Sequence, residues 1–391
     1  MEHINQNRQW LDKLIERFQY WLHVEDKETL YTIAAVKISH KIRGDPVWIM
    51  VIGPSSDGKS EILRSFTNED TELTVDDLTT NTFVTGYISH ATDGIPSFAE
   101  ELKNHVWYIY DMSILLSKKA ETRSEILSQL RMIYDGKLEK RYGNKVHISA
   151  DTTNNTLICG STPAIDSTML EDQILGTRFI HWRMNTKDNL AVMDKITEME
   201  DKITVMRASL KAGVGDFVRE IVIEIPELTE TEMYNLKILT EQTRKLRTSV
   251  ELDKAKEVRN IAYPEGAGRL FKQLVKLYKS YKLIGLTEEE ATKCIRKVCL
   301  DNINPVRIKI LQYLVDNNNE FETTSSIAQG CRMGKGHTKG ILNSLFALDI
   351  ISYEPRWNEL YHRDEDHWLL TGGDFKLLLN IKPEINQSVL K

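Results

Sequence analysis

Residues 53–60 read Gly53-Pro54-Ser55-Ser56-Asp57-Gly58-Lys59-Ser60, with the G-x-x-x-x-G-K-[ST] spacing of a phosphate-binding loop. Their surroundings restrict the fold. Val47-Trp48-Ile49-Met50-Val51-Ile52, before the loop, is a continuous apolar run that reads as a buried strand of a parallel sheet. Ser60-Glu61-Ile62-Leu63-Arg64-Ser65-Phe66, after it, reads as a helix. A strand feeding a glycine-rich turn that opens a helix aims backbone N–H groups and the positive helix end at a polyphosphate. The loop from Gly53 to Glu61 is therefore expected to cradle ATP. Lys59 would reach the β- and γ-phosphates, and the Ser60 hydroxyl would hold Mg²⁺.

The chain has 391 residues, enough for two or three domains. No apolar run approaches a membrane span, and Met1-Glu2-His3-Ile4-Asn5-Gln6 lacks the apolar region of a secretion signal. Cys159, Cys294, Cys299 and Cys331 have no C-x-x-C spacing, which argues for reduced thiols in a cytoplasm and against a structural zinc site. At a net charge of −6 the molecule is no polycation, so any nucleic-acid contact must come from local basic patches.

The hydrophobic pattern changes at places that suggest domain limits. An N-terminal helical segment is expected over 1–43, where Trp10, Leu11, Leu14, Ile15, Phe18, Trp21 and Leu22 fall at helical spacing. Residues 44–184 alternate strand and helix patterns, the signature of an α/β core with a parallel sheet flanked by helices. Residues 185–304 are strongly helical, with Ile196, Met199, Ile203 and Met206 as one apolar stripe. Residues 305–370 turn to short helices and then strands, and 371–391 form a tail without a readable pattern.

A phosphate loop needs a second acidic residue for the metal. Asp111 ends the apolar run Val106-Trp107-Tyr108-Ile109-Tyr110, which puts a carboxylate at the carboxyl end of a strand, where open α/β sheets bind ligands. Many ATPases carry Glu next to this Asp to activate water; here Met112 and Ser113 follow. A third run, Thr156-Leu157-Ile158-Cys159-Gly160, ends in Ser161-Thr162-Pro163, and Ser161 or Thr162 is placed to sense the γ-phosphate or orient water. Arg178 precedes a further apolar strand. In a ring ATPase this position supplies an arginine to a neighbour's γ-phosphate; elsewhere it is an edge residue or a carboxylate partner. Arg269 opens a helix from which it could approach the phosphates.

The order of these motifs resembles a family of AAA+ ATPases of phages, archaeal viruses and mobile elements, distantly similar to minichromosome maintenance helicases. The resemblance is carried by Gly44-Asp45-Pro46-Val47-Trp48, by Gln129-Leu130-Arg131-Met132-Ile133-Tyr134-Asp135-Gly136, by Ser161-Thr162-Pro163-Ala164-Ile165-Asp166, and by Leu175-Gly176-Thr177-Arg178-Phe179. It implies an AAA+ P-loop core over 44–184, a helical lid over 185–304 and a hexameric ring. It also implies roles: Asp111 as the Walker B aspartate, Thr162 as first sensor, Arg178 as arginine finger and Arg269 as second sensor. Met112 departs from the pattern, where the helicases carry Glu, and leaves the general base unassigned.

Two further segments point to DNA. Gly136 to Ser149 reads as two short strands around a Gly-Asn turn, and helicases of this type touch DNA with such a hairpin. Lys137, Lys140, Arg141 and Lys145 would supply charge, and Tyr142 a stacking ring. Residues 305–370 have the pattern of a winged helix, whose third helix would present Lys335, His337, Lys339 and Asn343 to a groove. Asp349, Glu354 and Asp364-Glu365-Asp366 weigh against DNA contact by the wing. The expectation is an ATPase acting on single- or double-stranded DNA in replication of a virus or mobile element. The rival is an ATP-gated, non-motor DNA-binding initiator or regulator.

Overall fold

The apolar run before the glycine-rich loop has no polar face, so it needs a paired strand at each edge and helices over both surfaces. The computed structural model provides both. It describes residues 2–55, 58–68, 71–84, 97–143, 145, 147–166, 178–185, 188–317, 320–359, 362–371 and 375–379. The chain divides into two units, Met1–Leu228 with Arg269–Val298, and Thr229–Gly268 with Cys299–Lys391.

Helices α1 (Glu2–Trp21) and α2 (Lys27–Ser39) precede β1 (Trp48–Ile52) and α3 (Lys59–Phe66). β2 (Leu73–Thr74), α4 (Phe98–Glu101), β3 (Val106–Ile109), α5 (Ser113–Leu116) and α6 (Ala120–Tyr134) follow. The hairpin of β4 (Lys137–Arg141) and β5 (His147–Asp151) leads to β6 (Thr156–Ser161), β7 (Phe179–Arg183), α7 (Asn189–Met199) and α8 (Ile203–Glu220). Next come α9 (Glu230–Arg247), β8 (Val250–Leu252), β9 (Val258–Ile261), α10 (Ala267–Leu283) and α11 (Glu288–Asp301). The chain continues through α12 (Pro305–Asp316), β10 (Glu322–Thr323), α13 (Thr324–Gly330), α14 (Lys335–Ala347), β11 (Ile351–Asn358), β12 (Arg363–Leu370) and α15 (Lys376–Leu379).

The fold class is α/β. The first unit is built on a parallel sheet in the order β2-β3-β6-β1-β7, flanked by helices. β6 lies between β1 and β3, so the carboxyl ends of three strands that carry candidate residues meet at one edge. Trp48, Met50 and Ile52 face one core with Trp107, Ile109, Leu130 and Ile133. On the other surface α2 packs against β1 and β6 with nearly all its residues buried, which is why it lacks an amphipathic pattern. α1 and α3 pack against α8, with Trp21 Nε1 donating to Ser209 Oγ at 3.0 Å. The stripe expected from Ile196 to Met206 splits: Met199 and Met206 are buried, while Ile196 and Ile203 face solvent.

The amino-terminal edge of the sheet is held by one side chain. Asn155 is fully buried. Its Oδ1 accepts from Trp48 Nε1 at 2.9 Å and Trp107 Nε1 at 3.2 Å, and its Nδ2 donates to the carbonyls of Ile133 at 3.0 Å and Thr152 at 2.7 Å. A single amide thus joins β1, β3, the end of α6 and the turn before β6.

In the second unit α12, α13 and α14 pack with an antiparallel sheet in the order β10-β12-β11. Trp368 is buried and donates to Thr324 Oγ1 at 2.8 Å. Arg307 is held between α9, α12 and α14, donating to the Leu246 and Thr248 carbonyls and Ser344 Oγ at 2.6–2.8 Å. Burial pushes its guanidinium down to about 10. The β8–β9 hairpin lies against α14, where a Cβ on Gly340 would come within 3.2 Å of Leu252 Cδ1. Among the described residues no helix is long and apolar enough to cross a membrane.

Asn155→Ala strands two indole donors in the core and removes a donor from the Thr152 carbonyl, while the Ile133 carbonyl keeps Thr152 Oγ1 and Gly136 N. Each buried unsatisfied group costs about 1–3 kcal/mol, so a loss of about 3 kcal/mol or more is expected. Urea denaturation checks it: the midpoint should fall, and an unchanged midpoint would show that these bonds do not hold the edge.

Candidate functional site

Gly58, immediately before α3, has φ +73°, a left-handed conformation that glycine adopts without steric cost. It turns the chain so that the helix starts at Lys59. The Lys59 side chain is 7% exposed and folds back over the loop, its Nζ donating to the Gly53 carbonyl at 3.4 Å. Pro54, Ser55 and Ser60 are exposed. Ser56 and Asp57 of the expected cradle lie outside the described residues. Glu61 accepts two bonds from Arg207, at 2.6 and 2.9 Å, which ties the first turn of α3 to α8.

The neighbouring strand ends are drawn in tightly. Gly53 N donates to the Ser161 carbonyl at 3.1 Å, and Met112 N to the Gly160 carbonyl at 2.7 Å. A Cβ on Gly160 would lie 2.5 Å from the Tyr110 carbonyl and 3.3 Å from Lys59 Cε. Lys59 therefore passes beside a strand position where only glycine fits.

Asp111 is exposed just beyond β3, and one of its oxygens accepts from Ser113 N at 2.9 Å. Ser113 Oγ lies 3.0 Å from Thr162 Oγ1 and accepts from Thr162 N at 3.0 Å. Asp111, Ser113 and Thr162 form one polar network across the ends of β3 and β6. Ser161 is buried, and its carbonyl anchors the loop, so Thr162 is the strand-end hydroxyl that joins the network. Met112, where a glutamate is expected, is 2% exposed and packs in the core.

Arg178 and Arg269 lie elsewhere. Trp48 pairs with Phe179 and Ile52 with Arg183, so Arg178 sits at the amino end of the sheet. At about 3.3 Å per residue, that is roughly 15 Å from the loop edge. Arg178 Nη2 is 2.7 Å from Asp135 Oδ2, and its guanidinium lies 5.8 Å from the Tyr134 ring centroid. The Arg269 guanidinium lies 5.9 Å from the same ring. Gln273 Nε2 donates to the Arg178 carbonyl at 2.8 Å, fixing α10 to this edge. Beside them Lys272 pairs with Asp45 at 3.1 Å, and Lys276 donates to the Asp45 carbonyl at 3.1 Å. Burial pushes the Lys276 ammonium down to about 8. The structure brings the two arginines together, but not to the loop of their own chain. Leu175, Gly176 and Thr177, quoted with Arg178 in the motif, lie outside the described residues.

The basic residues of the β4–β5 hairpin divide into two kinds. Lys137 pairs with Glu139 at 3.0 Å and Lys140 with Glu125 at 3.0 Å. The Lys140 ammonium also covers the Tyr142 ring at 5.3 Å, and the Tyr142 hydroxyl donates to the Val84 carbonyl at 3.1 Å. Arg141 and Lys145 are exposed, Lys145 at the turn with φ +69°. Asn144 of the turn lies outside the described residues. On α14, Lys339 is 3.3 Å from Asp366 and Asn343 donates to the Lys256 carbonyl at 2.8 Å, whereas Lys335 and His337 are exposed.

Ser113, Gly160 and Asp135 were not singled out from the sequence. A glycine closing an apolar strand is the readable signal for close backbone approach; nothing local marks the other two.

No family model and no curated protein matches the chain. Among solved structures it is similar to the SCCmec type IV Cch active helicase, with 13% identity and a TM-score of 0.38 over 94% of this chain and 71% of that one. It is similar to the C-terminal region of NrS-1 in its A-form apo structure, with 11% identity and a TM-score of 0.33 over 93% and 75%. It is also similar to the Aeropyrum pernix ORC1 protein in complex with DNA, with 10% identity and a TM-score of 0.30 over 93% and 94%. At this level of similarity the comparisons carry no functional assignment to this chain.

Gly160→Ala forces a Cβ against the Tyr110 carbonyl and is expected to cost about 1–3 kcal/mol. Thermal melting checks it; an unchanged melting temperature would show that the strand ends have room to spare.

Proposed function

We propose that the chain is an ATP-binding and ATP-hydrolysing protein of AAA+ type that acts on DNA, with its catalytic site completed between two subunits. The observation that carries this reading is the separation of its parts. Lys59, Ser60, Asp111 and Thr162 share the carboxyl edge of the sheet, while Arg178 and Arg269 share the opposite edge. Only on a neighbouring chain would these arginines meet a triphosphate held at the loop.

The groups present suit ATP and Mg²⁺. A left-handed glycine frees the loop backbone, a seated lysine crosses it, and the Ser60 hydroxyl and Asp111 carboxylate are both exposed to receive a metal. Bound Mg²⁺·ATP supplies a phosphoanhydride whose charge the metal partly neutralises. Lys59 holds the phosphates, and Ser113 and Thr162 orient water through their shared hydroxyl contact. With Met112 in the core, no carboxylate follows Asp111 to take a proton, so turnover is slow unless DNA or a neighbour completes the site.

For DNA, Arg141 and Lys145 on the hairpin and Lys335 and His337 at the start of α14 are the exposed candidates. We read the second unit's helices and antiparallel sheet as a winged helix. The resemblance in motif order favours replication of a virus or mobile element, with the subunits in a hexameric ring. The rival, an ATP-gated initiator or regulator without motor activity, draws support from buried Met112 and from the engagement of Lys339 and Asn343 within their own unit.

ATP turnover measured without DNA, with single strands and with duplex separates the two. DNA-stimulated turnover is expected; ATP binding with no turnover under any condition overturns the motor reading. Arg178→Ala should retain ATP binding and lose turnover on the order of a thousandfold. Mixing it with Lys59→Ala should restore part of the activity, since each variant supplies what the other lacks. No restoration contradicts a shared site. Arg141→Ala with Lys145→Ala should lower DNA stimulation and flatten its salt dependence; unchanged stimulation removes the hairpin from the DNA interface.

A further inference from the structure

α14 carries Lys335, His337, Lys339 and Asn343, yet it is closed over along most of its length. Lys335, Gly336 and His337 in its first turn are exposed, and so is Phe346 near its end. Between them, no residue from Thr338 to Leu345 is exposed. Thr338, Leu342 and Leu345 account for the core side. At about 100° per residue, the opposite side carries Gly336, Gly340 and Asn343, and this is the side that a helix seated on the unit would turn to a groove. It is covered by the β8–β9 hairpin, which belongs to the same unit. A Cβ on Gly340 would meet Leu252 Cδ1 at 3.2 Å and Lys256 Cδ at 3.3 Å, and Asn343 Nδ2 donates to the Lys256 carbonyl at 2.8 Å.

The cover is light. No residue of β8 or β9 is buried, and a two-stranded hairpin this short has little stability of its own. What it sets against Gly340 and Asn343 is one leucine, one lysine stem and one hydrogen bond. Its root is fixed separately. Arg307 Nη1 donates to the Thr248 carbonyl at 2.8 Å, and Ala262 N donates to the Ser249 carbonyl at 2.9 Å. The chain then leaves through Tyr263 and Pro264, both exposed. The hairpin can therefore part from α14 without disturbing the packing around Arg307. The closed arrangement also disfavours phosphate. Asp366 lies 3.3 Å from Lys339 and accepts from the Tyr353 hydroxyl at 3.0 Å. Partial burial, then the carboxylates of Asp366, Asp364 and Glu257, push that hydroxyl up, so Glu257 of the hairpin belongs to the same acidic cluster.

We propose that the β8–β9 hairpin is an autoinhibitory cap on α14, which occupies the groove side of the helix and swings away about its root when α14 takes up duplex DNA. The proposal rests on the reading of α14 as a DNA-contacting helix and adds that this contact is gated within one chain. The hairpin and DNA compete for one side of the helix, so the apparent affinity for DNA falls in proportion to the fraction of chains that is open. A weaker cap then gives tighter DNA binding. A hairpin that is merely structural, or one that itself holds DNA, would not act in that direction.

The test is fluorescence anisotropy of a labelled mixed-sequence duplex titrated with the full chain. The parent carries Arg141→Ala and Lys145→Ala, so that the β4–β5 hairpin does not mask the second unit. A Cβ on Gly340 would lie 3.7 Å from Lys256 Cβ, within the span of a disulfide. Lys256→Cys with Gly340→Cys should therefore lock the cap on oxidation and free it on reduction, the native cysteines being buried. The oxidised protein should bind duplex about tenfold or more weakly than the same protein reduced. Leu252→Ala loosens the cap without a disulfide and without touching a candidate DNA residue, and should bind about threefold to tenfold more tightly than its parent. Equal affinity of the oxidised and reduced forms, or a Leu252→Ala chain that binds no more tightly than its parent, overturns the cap. Lys335→Ala with His337→Ala separates that failure from failure of the DNA reading. Weakened binding by this pair upholds α14 at the DNA, so that equal affinities of the locked and freed forms count against the cap alone; unchanged binding removes α14 from the DNA interface and the cap with it.

Discussion

At Gly160 the backbone of β6 runs so close to β3 that a Cβ would stand 2.5 Å from the Tyr110 carbonyl. That approach lets the end of β3 turn across β6, so that Met112 N reaches the Gly160 carbonyl and Asp111 emerges into solvent. It also leaves the space that the Lys59 side chain crosses on its way to the loop. One residue further on, the Ser161 carbonyl takes the Gly53 N–H, and Thr162 meets Ser113. A parallel sheet thereby places a cation, a carboxylate and two hydroxyls at one edge, although they come from three separate stretches of chain. Asn155 does the matching work at the other edge, where the indoles of Trp48 and Trp107 share its amide oxygen.

The central strands and the loop were legible because each carries a local signal. A buried parallel strand is an unbroken apolar run, and β1, β3 and β6 are such runs. A left-handed turn needs glycine, and Gly58 stands there. The helix expected to open at Arg269 begins two residues earlier, at Ala267. What stayed hidden depends on contacts distant in sequence. The pairing of Arg178 with Asp135, and the shared ring of Tyr134 beneath Arg178 and Arg269, arise only when α6, β7 and α10 converge. The same holds for α14, whose Asn343 is taken by the β8–β9 hairpin. The expected single apolar stripe through Ile196 splits, because periodicity reports one-sidedness without saying what lies on that side. Half of it faces solvent.

Met112 ties fold to chemistry. Its side chain fills the core beneath the end of β3, so the position beside Asp111 serves packing rather than proton transfer. Under the proposed function, such a site would hold phosphate and metal with no carboxylate beside Asp111 to accept the proton of an attacking water. On that proposal, nucleotide binding would rest on one chain and hydrolysis on what a neighbour or DNA contributes. The two arginines lie at the far edge, engaged with carboxylate and ring.

The most direct test of this account is a titration of Mg²⁺ with a fluorescent ATP analogue into the wild type and into Lys59→Ala, with turnover ignored. Saturable binding is expected in the wild type. Loss of one charge-assisted contact of about 1.5–3 kcal/mol should weaken it about tenfold to a hundredfold in the variant. Equal affinity in both, or no binding by the wild type, would contradict a nucleotide site at the carboxyl edge of the sheet.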